Sequence, residues 1–259
     1  MNFVISQIIE QFGVITLNRG DKRNALSRDL IADMITALEE LKEQRVRAVI
    51  IRAAAEIKVW SAGHDITELP NTKANTDPLR YSDPLESVIR TIRQYPAPII
   101  AMIHGSCWGG ACDLALNCDI IIGDPTCAFA ITPAKLGIPY NPSGILHFLN
   151  RIPMNLAKEM FFSAQPIDAL RAEKIGILNH LVPENELESF TYNLARQICA
   201  QSSQSISVIK EQFRLISDSY PINPETWEYI QELRRKVYQG ADYCEGIEAF
   251  LQKREPRFS

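Results

Sequence analysis

The chain has 259 residues, 46% hydrophobic and 22% charged, with a formal net charge of −4. These are ordinary globular values, ample for a full core, and the acidic balance without a basic run counts against nucleic acid as the main partner. No apolar stretch of 18 residues occurs, so no membrane span is expected. Met1-Asn2-Phe3-Val4-Ile5 has no basic region ahead of an apolar one, so no secretory signal is expected and the cytoplasm is the default compartment. Six cysteines (107, 112, 118, 127, 199 and 244) lack C-x-x-C spacing and form no zinc pattern with the four histidines. They read as small buried thiols, and no metal is expected.

In chain order, residues 4–9 and 14–17 are short β-rich runs that suggest a hairpin about Gln11-Phe12-Gly13. Residues 18–26 are polar, turn-forming and basic at Lys22 and Arg23, which by themselves read as a solvated loop. Ser27 then caps a helix with Leu30, Met34, Leu38 and Leu41 at helical spacing. The apolar run 48–51 reads as a strand, and after it comes Trp60-Ser61-Ala62-Gly63-His64-Asp65-Ile66. Residues 71–81 lack periodicity and read as a mobile loop, and a helical pattern resumes over 84–94 with Leu85, Val88, Ile89 and Ile92. A second buried strand, 98–103, leads into Gly105-Ser106-Cys107-Trp108-Gly109-Gly110-Ala111-Cys112-Asp113, with the paired glycines where a helix begins. The first N–H groups of a helix have no intrahelical partner and lie at its positive end, so a bare backbone there suits an anionic oxygen.

Two strands that each end in a small-residue turn supply two donor sites. Together, S-A-G-H-D and G-S-C-W-G-G resemble the crotonase (enoyl-CoA hydratase/isomerase) superfamily. The resemblance implies an acyl-CoA thioester oxygen held between two backbone N–H groups, which match His64 and Gly110. It also implies CoA contacts from Lys22, Arg23 and Ala25, from Ala62, Gly63, His64, Asp65 and Ile66, and from Gly109, Gly110, Thr132 and Lys253. Asp65 is expected to tether its turn rather than react. The His64 ring does nothing, meets a second anionic group on the substrate, or protonates the enolate in place of water.

Residues 119–122 and 128–131 are two more buried strands. The fold expected is an α/β crotonase spiral of repeated ββα units with a helical C-terminal trimerisation region. The core is expected over 1–195, and the helical region, serving oligomerisation and covering of CoA, over 196–259. Hydratases of the superfamily use two carboxylates about one water. Here the first position holds Asp113 and the second holds Ala134, whose methyl group carries no proton. Beyond it stands Tyr140, a neutral hydroxyl donor that otherwise reads as an aromatic filling space under a Pro-rich turn. T-P-A-K-L-G-I-P-Y is similar to the branch of the family that decarboxylates methylmalonyl-CoA. The resemblance therefore implies loss of CO2 through an enolate, with His64, Gly110, Tyr140 and Asp113 as the catalytic set and no cofactor beyond the CoA thioester itself. The alternatives are an enoyl-CoA hydratase and a non-catalytic RNA-binding member.

From Pro153 onward the pattern is helix after helix, over 168–175, 187–200 and 205–216, then from Asn223-Pro224, and last ahead of Ile247, where Asp242 and Glu245 read as a capping pattern. Apolar faces on these helices suit a subunit interface, and the family implies a homotrimer or dimer of trimers.

Overall fold

The computed structural model describes residues 3–69, 83–219 and 222–258. The loop expected over 71–81 lies outside them. The described residues run β1 (Val4–Ile9), β2 (Phe12–Leu17), α1 (Arg28–Glu43), β3 (Ala48–Ala53), β4 (Val59–Ser61), α2 (Pro84–Gln94), β5 (Ile99–Ile103), β6 (Ser106–Trp108), α3 (Gly110–Leu116), β7 (Ile120–Gly123) and β8 (Ala128–Ala130). They continue with α4 (Pro142–Leu149), α5 (Met154–Ser163), β9 (Ile167–Asp168), α6 (Ala169–Lys174), β10 (His180–Leu181), α7 (Leu187–Cys199), α8 (Ser203–Ser217), α9 (Pro224–Tyr238) and α10 (Ala241–Leu251).

The strands form two sheets, ordered β1-β2-β3-β5-β7-β10 and β4-β6-β8-β9. Only the outer pairs β1–β2 and β8–β9 are antiparallel; every other neighbour is parallel. Each strand of the larger sheet from β3 to β7 is followed by a short strand in the smaller one, which is the repeated ββα spiral. The apolar runs of β3 and β5 exist because both faces are covered. Val49, Ile51, Ala101 and Ile103 point into the main core with α1, α2 and α3. Ile50, Ile100 and Met102 point the other way, against Leu187, Ala195 and Cys199 of α7. The division expected at 195/196 falls within α7.

Four details differ from the sequence reading. The hairpin turn is Glu10-Gln11, so β2 begins at Phe12. The donor turns follow β4 and β6, three-residue strands too short to show a periodicity, rather than β3 and β5 directly. The C-terminal third carries the two-residue strands β9 and β10 among its helices. The cap of α10 is Gly240, with extended backbone, and makes no side-chain hydrogen bond; Asp242 lies in the first turn and Glu245 pairs with Arg254 instead. The expected cap at Ser27 is present, and Asn223 caps α9 in the same way, each accepting from a backbone N–H three residues on. All six cysteines are free thiols; five are buried, and burial pushes Cys112 up to about 12.

Candidate active site

The segment 23–26 is stitched to the turn after β4. Ala62 N–H donates to Arg23 O at 2.9 Å and Leu26 N–H to Gly63 O at 2.8 Å, while Ser61 Oγ–H donates to Asn24 O at 2.7 Å. Asn24, fully buried, donates from Nδ2 to Trp60 O at 3.1 Å. Lys22 and Arg23 are thereby held, exposed, at the rim of a cavity of about 340 Å3. Ala25, Ala62, His64, Asp65, Ile66, Gly109, Gly110, Asp113, Thr132, Tyr140 and Phe250 line it.

Asp65 does tether its turn. It accepts from Thr67 N and Thr67 Oγ1 and pairs with Arg19 at 3.2 Å. Burial pushes its carboxyl up, but the Thr67 hydrogen bonds and the Arg19 charge outweigh it and hold the group below the usual range.

The two donor turns touch. Gly63 has φ +81°, and a Cβ there would lie 2.1 Å from Trp108 O and 3.1 Å from Gly110 N, so only glycine lets the turns close on each other. A Cβ on Gly110 would lie 3.5 Å from His64 N. Gly110 is the first residue of α3, and its cap Gly109 supplies no side-chain hydrogen bond. His64 bridges Leu26 through Gly63 O and Asp65 N, which leaves its own N–H out of the ladder. Neither the His64 N–H nor the Gly110 N–H donates to any described residue. Two unused backbone donors meeting at one cavity can hold an oxygen that gains charge. The His64 ring adds a buried Nδ1 with no partner among the described residues.

Asp113, 1% exposed, is the hub of the opposite wall. Its Oδ1 accepts from Asn117 Nδ2 at 3.0 Å and meets His147 Nδ1 at 2.8 Å. Its Oδ2 accepts from the Tyr140 hydroxyl at 3.3 Å. Arg93 Nη1 lies 3.5 Å from His147 Nε2, and a guanidinium only donates. His147 Nδ1 faces a carboxylate, which only accepts, so Nδ1–H donates to Asp113. Tyr140 stacks edge-on against Phe161 at 5.0 Å and Phe148 at 6.3 Å. Burial, then the Asp113 charge, push its phenol well above the ordinary value, so it remains a donor. A Cβ on Gly144 would stand 2.3 Å from the Tyr140 ring and 2.8 Å from Asp113 Oδ2, so the pairing needs a glycine in α4.

Of the residues expected, Gly63 lies one layer behind the cavity, against Trp108. Lys253 is exposed three residues past Phe250 and is not brought to the cavity wall. Ala134 is exposed on a 3-10 turn (Pro133–Leu136), outside the lining. The sequence reading missed Glu86, Asn117, Asn141, Ser143 and His147. Glu86 is 7% exposed and accepts from Asn141 Nδ2 and from Ser143 Oγ at 3.1 Å. The signal for it was a carboxylate beside the apolar stripe of α2. Among the described residues no three metal-ligating side chains gather.

The family model for enoyl-CoA hydratase/isomerase matches residues 7–259. A methylmalonyl-CoA decarboxylase of Escherichia coli (strain K12) is 44% identical over 250 residues, 96% of this chain and 95% of that one. The human enoyl-CoA hydratase domain-containing protein 3, mitochondrial, is 31% identical over 95% of this chain and 80% of its own. The solved structure of a methylmalonyl-CoA decarboxylase in complex with 2-nitronate-propionyl-CoA superposes with a TM-score of 0.97 at 44% identity, covering 99% of this chain and 98% of that chain.

Proposed function

The chain belongs to the enoyl-CoA hydratase/isomerase family, and from that premise we propose that it decarboxylates methylmalonyl-CoA, or a closely related malonyl thioester, to propionyl-CoA and CO2. The observation that carries this is the pair of N–H groups at His64 and Gly110, unused among the described residues, at a cavity that Tyr140 lines and Ala134, the second hydratase position, does not. The relative at 44% identity is named for the same reaction.

Cleavage of the C2–carboxyl bond needs no base. It needs the departing carboxylate perpendicular to the thioester plane and an acceptor for the electron pair. As the bond breaks, charge moves to the thioester oxygen, where the two N–H groups bind it more strongly than in the ground state. Tyr140 has a hydroxyl proton to offer the carboxylate. Its bond to Asp113 is long for O–H···O, so it exchanges readily for a better one. Asp113 orients Tyr140, and it also repels the substrate carboxylate; that repulsion ends when neutral CO2 forms. The scheme draws only on groups of the chain and the thioester. Lys22 and Arg23 at the rim suit CoA phosphates, and Lys253 serves there only if a neighbouring subunit brings it near. Exposed Ile209, Phe213 and Ile216 on α8 and Trp227 and Leu233 on α9 fit a homotrimer or dimer of trimers. The setting we propose is the cytoplasm.

The test offers purified protein malonyl-, methylmalonyl- and crotonyl-CoA and follows CO2 release and hydration separately. CO2 from methylmalonyl-CoA with crotonyl-CoA untouched is the expected result. Hydration of crotonyl-CoA without CO2 from either malonyl ester refutes it.

A further inference from the structure

The enolate left by CO2 must take a proton at C2, and neither the two N–H groups nor the carboxylate-holding hydroxyl supplies it. Asp113 is unsuited, because both its oxygens already accept hydrogen bonds. Tyr140 is a poorer acid than an ordinary phenol, for the reasons given above. Glu86 differs from both. It lies in the first turn of α2, buried, and lines the same cavity as Gly110, Asp113 and Tyr140. Its Oε1 takes the hydrogen bonds from Asn141 and Ser143, and Oε2 accepts none from any described residue. The charged and titratable groups about it are Asp113 on α3, Tyr140 ahead of α4 and His147 within α4. On its own helix are Asp83 at the N-cap, Arg90 beside Ser87, and Arg93, which reaches His147 and pairs with Asp218. No ion pair is made to Glu86 among the described residues. Burial, and after it the Asp113 charge, push its carboxyl above the usual range, and the opposing pull of His147, Ser143 and Asn141 does not reverse this. With Oε1 occupied by two donors, the acid proton belongs on Oε2.

We propose that Glu86, as the neutral acid, delivers the proton that the enolate takes up at C2; this rests on the decarboxylase reading of the site. The O–H bond of Glu86 breaks as the enolate electron pair forms the new C–H bond and the thioester carbonyl is restored. Glu86 is left as the carboxylate and regains its proton from solvent as product leaves. In sum, methylmalonyl-CoA and one proton give propionyl-CoA and CO2, with no change of redox state. An acid raised toward the operating pH is the better proton donor. The donor Ser143 and the cap Asn141 fix its orientation from the turn that also presents Tyr140.

The experiment compares wild type, Glu86→Gln and Ser143→Ala turning over methylmalonyl-CoA in D2O, with three readouts: kcat, the configuration of the deuterium at C2 of propionyl-CoA, and the pH profile. Glu86→Gln keeps the acceptor for Asn141 and Ser143 and removes only the acid proton. Wild type is expected to give one configuration and a kcat that falls as pH rises through the Glu86 ionisation. Glu86→Gln should lose at least tenfold in kcat, give both configurations and lose that alkaline limb, while binding propionyl-CoA normally. Ser143→Ala removes a bond that favours the carboxylate, so its limb should move to higher pH. A folded Glu86→Gln with wild-type rate, single configuration and unchanged limb overturns the proposal. If that variant does not fold, an unmoved limb in Ser143→Ala overturns it alone. Absence of CO2 from the wild type overturns the reading beneath, and the proposal with it.

Discussion

Replacing Tyr140 by Phe tests the acyl wall with little change in volume. The ring contacts to Phe161 at 5.0 Å and Phe148 at 6.3 Å remain, so no cavity opens. What goes is one hydroxyl, whose bond to Asp113 is 3.3 Å long. Asp113 Oδ2 then lacks a donor, but Oδ1 retains Asn117 and His147, so a loss of about 1 kcal/mol in stability is expected. Catalysis should suffer more. A hydrogen bond to a charged group is worth roughly 1.5–3 kcal/mol, or about ten- to 150-fold in rate if made mainly on the way to the transition state. Lys22 and Arg23, the side chains proposed to hold CoA, lie elsewhere on the cavity rim, so affinity should hold. The assay is kcat for CO2 release beside the dissociation constant of propionyl-CoA. A kcat within twofold of wild type returns Tyr140 to space-filling; an equal loss in both quantities shows a collapsed pocket.

Gly110→Pro deletes one donor outright at a helix position that tolerates proline, and the nearest obstacle is the flexible end of Leu85. It should cost about a hundred- to a thousandfold in kcat, measured on protein whose circular dichroism is native. His64→Ala keeps the N–H and removes a ring whose Nδ1 has no partner among the described residues, so kcat should stay within about threefold. A loss as deep as that at Gly110 would bring the ring into the chemistry. Gly144→Ala forces the Tyr140 ring and Asp113 apart, and overpacking of this kind costs about 1–3 kcal/mol. Thermal unfolding should drop by several degrees and kcat by at least tenfold; unchanged values would mean that α4 yields without disturbing the pair.

The approach of the two glycine turns was legible because it is a property of the backbone. Glycines at 63 and 110 mark places where chains must approach, and that need shows in a sequence without any side-chain pairing. The cap at Ser27 was legible for a similar reason, since it is settled within three residues. The far wall was not. Asp113 meets His147 across 34 positions and Glu86 meets Ser143 across 57, and no local pattern encodes such pairings. Glu86 was further hidden by an amphipathic helix, where one carboxylate beside Leu85 and Ile89 reads as the edge of the solvated face. Asp242 misled because an Asp-x-x-Glu spacing satisfies a capping rule that extended Gly240 had already made unnecessary.

The central claim is that two backbone N–H groups hold an enolate. A nitronate of propionyl-CoA is planar and anionic, with part of its charge conjugated onto the thioester oxygen, whereas propionyl-CoA presents a neutral carbonyl to the same donors. The most direct measurement is the ratio of their dissociation constants on the wild-type protein. The nitronate is expected to bind at least about a hundredfold tighter, since an analogue of the transition state gains that much or more over a ground-state ligand, and Gly110→Pro is expected to erase most of the gap. Equal affinities on the wild type would contradict it.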